Sequence, residues 1–253
     1  MKMVDTHCHM DDEQYDEDRE NILRKISEKM EFIVNVGYNL VSSEKSVEYA
    51  KNQKFIYAAI GIHPTEIETY NIEVEKKIEK LLNEEEKVVA IGEIGLDYHW
   101  MVTDKEYQKK IFIRQMELAR KHKKPVVIHS REAMEDTLNI LEEYPDVKGI
   151  FHCFPGSIES ALKISDRYYF GIGGVLTFKN SKKTVKFLKE IDINRVVLET
   201  DSPYLSPVPF RGKRNIPLNV KYVAKKIAEL KGITFEEVVE ITTRNAKKIY
   251  NIK

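Results

Sequence analysis

The chain carries no excess of charge: 41 basic side chains stand against 41 acidic ones. That excludes a global positive field of the kind that gathers nucleic acid, so any grip on phosphate must come from a local patch or from metal ions. No apolar stretch approaches the ~20 residues that a bilayer span needs, and no signal peptide is visible before the first strand-like segment. Linkers, low-complexity stretches and short repeats are missing too. Cysteine is scarce. Cys8 and Cys153 are the only two, they fall on different predicted strands, and strand alternation turns both outward, so no disulfide is expected. These absences describe a reduced, cytoplasmic protein without membrane association.

What the chain does have is alternation. Short apolar runs at Met3–Thr6, Phe32–Val36, Ile56–Ile60, Val88–Gly92, Pro125–His129, Gly149–Phe151, Tyr169–Ile172 and Arg195–Glu199 have the length and composition of buried strands. Amphipathic stretches separate most of them: Asp16–Met30, Val41–Lys51, Thr103–His122, Ala133–Glu143, Ser157–Ser165, Lys182–Glu190 and Leu218–Lys231, with a last helix over Phe235–Asn245. Eight strand–helix units in 253 residues predict an α/β protein of one domain, 1–253, closed as a (β/α)8 TIM barrel. Pro203, Pro207, Pro209 and Pro217 mark a long ordered loop after the eighth strand, long enough to suspect a function.

Six residues that could bind metal lie at or near the ends of these strands: His7, His9, Glu93, His129, His152 and Asp201. Side chains at strand C-termini converge in a parallel barrel. His7 and His9 are two apart, so both can face inward. Two bare imidazoles there would be costly unless bonded to something. Glu93 interrupts an apolar run beside Gly92; it is either the partner of an interior cation or a carboxylate shared between two metal ions. His129 and His152, taken singly, could equally be core histidines bonded to backbone. Their equivalent strand-end positions favour a shared ligand role. Asp201 is placed to bind metal, to accept a proton, or both. Four imidazoles and two carboxylates suit two divalent ions, with Zn, Mn, Mg, Ni and Co all compatible with nitrogen and oxygen donors.

Other residues face the same mouth. His63 ends the third strand and reads either as a substrate contact or as an ordinary cap. His99, Trp100 and Tyr98 form an aromatic group that could stack on a base or simply pack. Arg131, two residues past His129, and the cations Arg211, Lys213 and Arg214 are candidates for phosphate contact, although charged loops are usually just solvated. His122 lies in a basic helix end and reads as a solvated C-terminus.

Taken together, Asp5-Thr6-His7-Cys8-His9, Gly61-Ile62-His63-Pro64, Gly92-Glu93-Ile94-Gly95-Leu96-Asp97-Tyr98, Val127-Ile128-His129-Ser130-Arg131, Phe151-His152-Cys153-Phe154, Leu198-Glu199-Thr200-Asp201-Ser202-Pro203 and Arg214-Asn215-Ile216-Pro217 resemble the TatD family of metal-dependent deoxyribonucleases, within the wider amidohydrolase-like superfamily. Seven motifs in order across nearly the whole chain are a specific match. The resemblance implies a TIM barrel, a divalent metal centre, hydrolysis of phosphodiester bonds in DNA, and metal roles for the six residues above. The wider superfamily often bridges its metals with a modified lysine on strand four; Glu93 in that place fits the TatD branch.

The expected mechanism has Glu93 shared between two cations and Asp201 as general base, with His63, Arg131 and Arg214 on the substrate. Single-stranded DNA or DNA ends are the expected substrate, with RNA possible. An alternative is an amide or ester hydrolase with the same centre, acting on a phosphate-bearing substrate such as an acylated tRNA. A non-catalytic barrel is disfavoured by the complete ligand set. Oligomeric state is left open by the sequence.

Overall fold

The computed structural model describes residues 1–253. Eight parallel strands, β1 (Met3–Cys8), β2 (Met30–Val36), β3 (Ile56–Ile60), β4 (Val88–Asp97), β5 (Val126–Arg131), β6 (Gly149–Phe151), β7 (Tyr168–Ile172) and β8 (Val196–Leu198), follow one another in sheet order as in sequence. Helices α1 (Arg19–Lys29), α2 (Leu40–Asn52), α3 (Ile72–Glu84), α4 (Lys105–His122), α5 (Met134–Glu142), α6 (Ile158–Leu162), α7 (Lys182–Glu190) and α8 (Val220–Lys231) cover the outside, and α9 (Phe235–Tyr250) ends the fold. The expected (β/α)8 barrel is thus the observed architecture. Its seam between β8 and β1 closes at the mouth end: the His9 amide donates to the Ser202 carbonyl at 2.8 Å and the Asp201 amide to the His7 carbonyl at 2.9 Å. The Thr6 hydroxyl adds a bond to the Leu198 carbonyl.

The barrel interior has two storeys. Below, Val34, Ala59, Val127, Ile150, Tyr169 and Val197 form a dry layer with Ala246, Ile249 and Tyr250 of α9. Above it, on the same inward parity of β5, β6 and β8, stand His129, His152 and Glu199. A larger outward layer, from Ile22 and Leu23 of α1 to Val238 and Val239 of α9, packs the helices on the sheet.

Two elements differ from expectation. Helix α3 was not foreseen. Its sequence is so rich in Glu and Lys that few apolar positions remain, yet Ile78 and Leu82 bury and Asn71 caps its first turn. Strand β4 runs to Asp97 rather than stopping at Gly92, which sets Glu93 inside the strand and Asp97 at its end. The longer strand depends on Gly95 (φ 143°), where a Cβ would overlap the His129 carbonyl of β5. Cys8 and Cys153 are free thiols, the first packed in the strand–helix layer.

Tyr250, 3% exposed, stops the barrel floor and donates its hydroxyl to the Thr6 carbonyl at 3.1 Å. Tyr250→Phe should cost only about 1 kcal/mol, the usual net value of one hydrogen bond. Tyr250→Ala should cost about 3–5 kcal/mol, as for other large aromatic truncations. Urea unfolding of the two variants separates these outcomes.

Candidate metal centre

Three imidazoles in the upper storey, those of His9, His152 and His129, have an acceptor behind them, which sets the nitrogen each offers in front. The Nδ1–H of His9 donates to the Val36 carbonyl at 2.7 Å, which leaves Nε2 as the free face. That Nε2 lies 3.2 Å from Nε2 of His7 and 3.4 Å from Oδ1 of Asp201. His152 turns Nδ1 toward Glu199 at 3.2 Å and Nε2 toward Asp201 at 3.7 Å. The His7 and His152 rings stack with centroids 3.7 Å apart. His129 sits between two carboxylates, Nδ1 on Glu93 at 3.0 Å and Nε2 on Asp97 at 2.9 Å.

Glu93 occupies the centre and is 5% exposed. Its Oε2 faces His7 at 3.5 Å, while Oε1 faces His129 at 3.0 Å and His63 at 3.8 Å. One carboxylate therefore spans two groups of donors: His7, His9, His152 and Asp201 on one side, His129 and His63 on the other. Burial works against its charge, but the surrounding imidazoles hold it well below the usual carboxylate range. Asp201 is lowered in the same way: burial opposes its charge, and His152 and His9 outweigh it. Burial likewise opposes protonation of His9, but the bond and charge of Asp201 raise it to about 9. His152, desolvated but facing Glu199 and Asp201, is pushed up to about 10. Asp201 also adopts φ 56°, a strained left-handed conformation for a non-glycine residue.

These atoms fit a divalent cation better than they fit each other. With both rings neutral, as ligation requires, two imidazole Nε2 atoms 3.2 Å apart with a carboxylate oxygen beside them aim their lone pairs at one point. Nδ1 of His7 and of His152, and Oε2 of Glu199, are buried without a well-aligned partner. The sets His7/His9/Asp201, His7/Glu93/His152 and His63/Glu93/His129 each bring one donor atom per residue within 4.8 Å of one another. Nitrogen and oxygen donors of this mix suit Zn and its first-row neighbours.

His63 is the odd member. Its Nδ1 accepts from the Thr65 amide at 3.1 Å and from the Thr65 hydroxyl at 2.7 Å. A neutral ring then carries its proton on Nε2, the atom that faces Glu93. Burial lowers its pKa to about 3, so the ring stays neutral and offers a donor rather than a lone pair. Arg131 is exposed at the rim, with its guanidinium 5.8 Å from the centre of the Trp100 ring. Arg214 is placed elsewhere. It forms a two-bond pair with Asp18 at 2.8 and 2.6 Å, bonds the Gln14 carbonyl, and lies over Tyr15. It does not line the cavity of the centre and ties the long loop to α1 instead. His122 is also tied down, at 3.0 Å from Glu79 of α3.

The mouth is a cavity of about 530 Å3 lined by His9, Glu93, His129, His152 and Asp201, with Tyr38, Thr65, Trp100, Arg131 and Tyr204 around them; His7 lies beneath. The profile of a family described as TatD related DNase matches residues 4–251. The chain belongs to the TatD family. An uncharacterized metal-dependent hydrolase of Bacillus subtilis, YabD, is 47% identical to it over 99% of both chains. YcfH of Escherichia coli, described in the same words, is 35% identical, covering 100% of this chain and 97% of its own. Among solved structures, the TatD homologue YjjV of Escherichia coli superimposes with a TM-score of 0.90 at 26% identity, over 99% of this chain and 98% of its own.

This TatD chain surrounds its centre with supports that its sequence motifs did not single out. Asp97 and Glu199 back His129 and His152. Glu199 is fully buried and accepts the Cys153 amide at 2.7 Å. Gly171 opposite it leaves room for the Glu199 carboxylate, which a Cβ there would overlap. An acidic residue at the inward parity of an apolar strand was the available signal for Glu199. Two glutamines of α4, two helical turns apart, act as clamps. Gln108 takes the Asp97 amide at 2.9 Å and gives to the Asp97 carbonyl at 2.9 Å; Gln115 does the same for Ile62 at 2.8 and 2.9 Å. No periodicity distinguishes such glutamines from surface ones.

Gln108→Leu leaves a buried amide and carbonyl without partners. It should lower stability by about 1–3 kcal/mol per orphaned group and loosen Asp97. Denaturant unfolding measures the first effect; amide hydrogen exchange at Asp97 measures the second. An unchanged exchange rate at Asp97 would remove the clamp from the account.

Proposed function

We propose that this protein is a divalent-metal-dependent hydrolase that cleaves phosphodiester bonds of DNA at single strands or ends. The observation that carries the reading is the divided carboxylate of Glu93, with one oxygen toward each of two imidazole groups at the floor of an open cavity. His7, His9, Glu93, His129, His152 and Asp201 would hold the cations. Bound there, divalent ions would acidify a water molecule and offset negative charge on a phosphoryl group.

The remaining roles fall to this chain's own side chains. Asp201 is ionised, faces the cavity through Oδ1, and accepts the proton of the attacking water as general base. His63 presents Nε2–H to a phosphoryl oxygen. Arg131 supplies a guanidinium with no competing partner and is the cationic side chain that meets charge on the phosphate, because Arg214 is committed to Asp18. Trp100, 58% exposed beside Arg131, gives a base a face to stack on. A cavity of about 530 Å3 admits a strand end, and the neutral chain offers no extended track for a duplex. Two free thiols suit a reducing, cytoplasmic setting, and no helix is long and apolar enough to cross a membrane.

Asp201→Asn should lower DNA hydrolysis by ~10²–10⁴, the usual worth of a general base, while most metal is retained. Glu93→Gln should lose metal first. Metal content and hydrolysis of single-stranded DNA, RNA and an activated ester, measured at saturating metal, check both. Ester hydrolysis without any action on DNA would move the protein to the acyl-hydrolase class.

Metal uptake should release protons. His9 and His152, raised to about 9 and 10 in the metal-free protein, are charged at pH 7, and a ligating imidazole must be neutral. Apparent metal affinity should therefore fall as pH falls. Calorimetry in buffers of differing ionisation enthalpy counts the protons; a buffer-independent enthalpy would contradict the assignment.

A further inference from the structure

The end of the barrel away from the mouth carries a second cavity, of about 540 Å3, between the C-terminus of α4, the loops that enter β5 to β8, and the end of α9. Four successive strands begin immediately after a cation that lines it, or one residue later in the case of β5: Lys124, Lys148, Arg167 and Arg195. Because the strands pair in register, these residues form an arc. Arg120, Lys123 and Lys248 extend it, and only Asp146 and Asp166 oppose seven cations. The whole chain is neutral, so this is a local concentration of charge.

Structural duties account for part of it. Arg167 donates to the Leu141 and Tyr144 carbonyls at the end of α5, and Lys124 to the Val88 carbonyl. Arg195 donates to the Asp166 carbonyl at 3.3 Å. Helix C-termini also attract cations, and those of α4, α5 and α9 meet here. Each contributes only about half a negative charge, too little to offset five excess positive ones. Lys123, Lys148 and Lys248 are exposed and join none of the neighbouring ion pairs.

We propose that this cavity binds a chain of linked phosphates, either inorganic polyphosphate or the tail of a nucleoside triphosphate. The fixed arginines give a preorganised floor, and the three free lysines can close on an extended polyanion. One phosphate could meet only part of the arc. A concave site of this volume suits a small ligand, and a molecule held here cannot reach the mouth, about 20 Å away along the six residues of β5. The site is therefore independent of the proposed hydrolysis, and a binding readout keeps the two apart.

The test is calorimetry of the metal-loaded protein at physiological ionic strength with inorganic tripolyphosphate, ATP and orthophosphate. Tripolyphosphate should bind more tightly than orthophosphate. Lys148→Glu with Lys248→Glu should weaken it by about tenfold or more, since losing one charge-assisted contact is already worth about that much. The double variant Lys148→Arg with Lys248→Arg should restore binding, and Arg131→Ala at the mouth should leave the lysine-dependent component unchanged. ATP bound as well as tripolyphosphate assigns the chain as the recognised part in either source; ATP bound alone overturns it. Equal affinity for orthophosphate, indifference to charge reversal, or loss of the lysine-dependent component in Arg131→Ala also overturns the proposal. So does binding of a single-stranded oligonucleotide, but not tripolyphosphate, through the same lysines.

Discussion

An ionised carboxylate in the middle of a barrel is the constraint around which the rest is arranged. Glu93 keeps its charge at 5% exposure because imidazoles stand against both oxygens. Three imidazoles of the centre are in turn aimed by acceptors behind them: the Val36 carbonyl for His9, Glu199 for His152, Asp97 for His129. The centre is thus layered, with a carboxylate, then nitrogen donors, then a ring of acceptors. In a low-dielectric interior every member of such a network needs its partners, since an unpaired buried polar group is costly. This is the pattern expected of a metal site in which outer residues set the tautomer and direction of each ligand.

That layering makes demands on the backbone. Gly95 lets β4 lie against His129, and Gly171 leaves room for the Glu199 carboxylate. Asp5, buried and raised to about 8 chiefly by desolvation, accepts the amides of His7 and Thr200 and so joins the start of β1 to the segment that carries Asp201. Asn215 holds the long loop through the Thr200 and Tyr204 carbonyls. The Gln108 and Gln115 clamps tie α4 to two strand ends. Many of these bonds join residues far apart in sequence, so the geometry of the centre is a property of the closed barrel. The dry lower storey, sealed by α9, supplies the stability against which the polar upper storey is maintained.

Electrostatically the molecule has two poles. The mouth gathers carboxylates and imidazoles, and the floor gathers uncompensated cations around a separate cavity. The net charge averages over both and over the rest of the surface, which is why composition alone described a protein without any strong field. Separation by the length of a strand and by the apolar storey keeps them distinct, because short-range contacts cannot cross a packed core of this depth.

The amino-acid order by itself determined the barrel and the six convergent residues. Both follow from local rules: apolar runs make strands, alternation sets parity, and parallel strands in sequence order place equivalent ends together. His7, His9, Glu93, His129, His152 and Asp201 were legible because each follows or interrupts such a run. What only tertiary structure decided was partnership. Arg214 looked like a phosphate contact from its neighbours in the loop, yet Asp18, far away in sequence, captures it. Asp97 and Glu199 stood inside quoted motifs, but their roles depend on which ring lies beside them across the sheet. Helix α3 was hidden by its charges and revealed by what it packs on, and the arc of cations at the floor exists only because β5 to β8 pair in register. Periodicity fixes the face a side chain presents; its partner across that face is set by the closure of the whole chain.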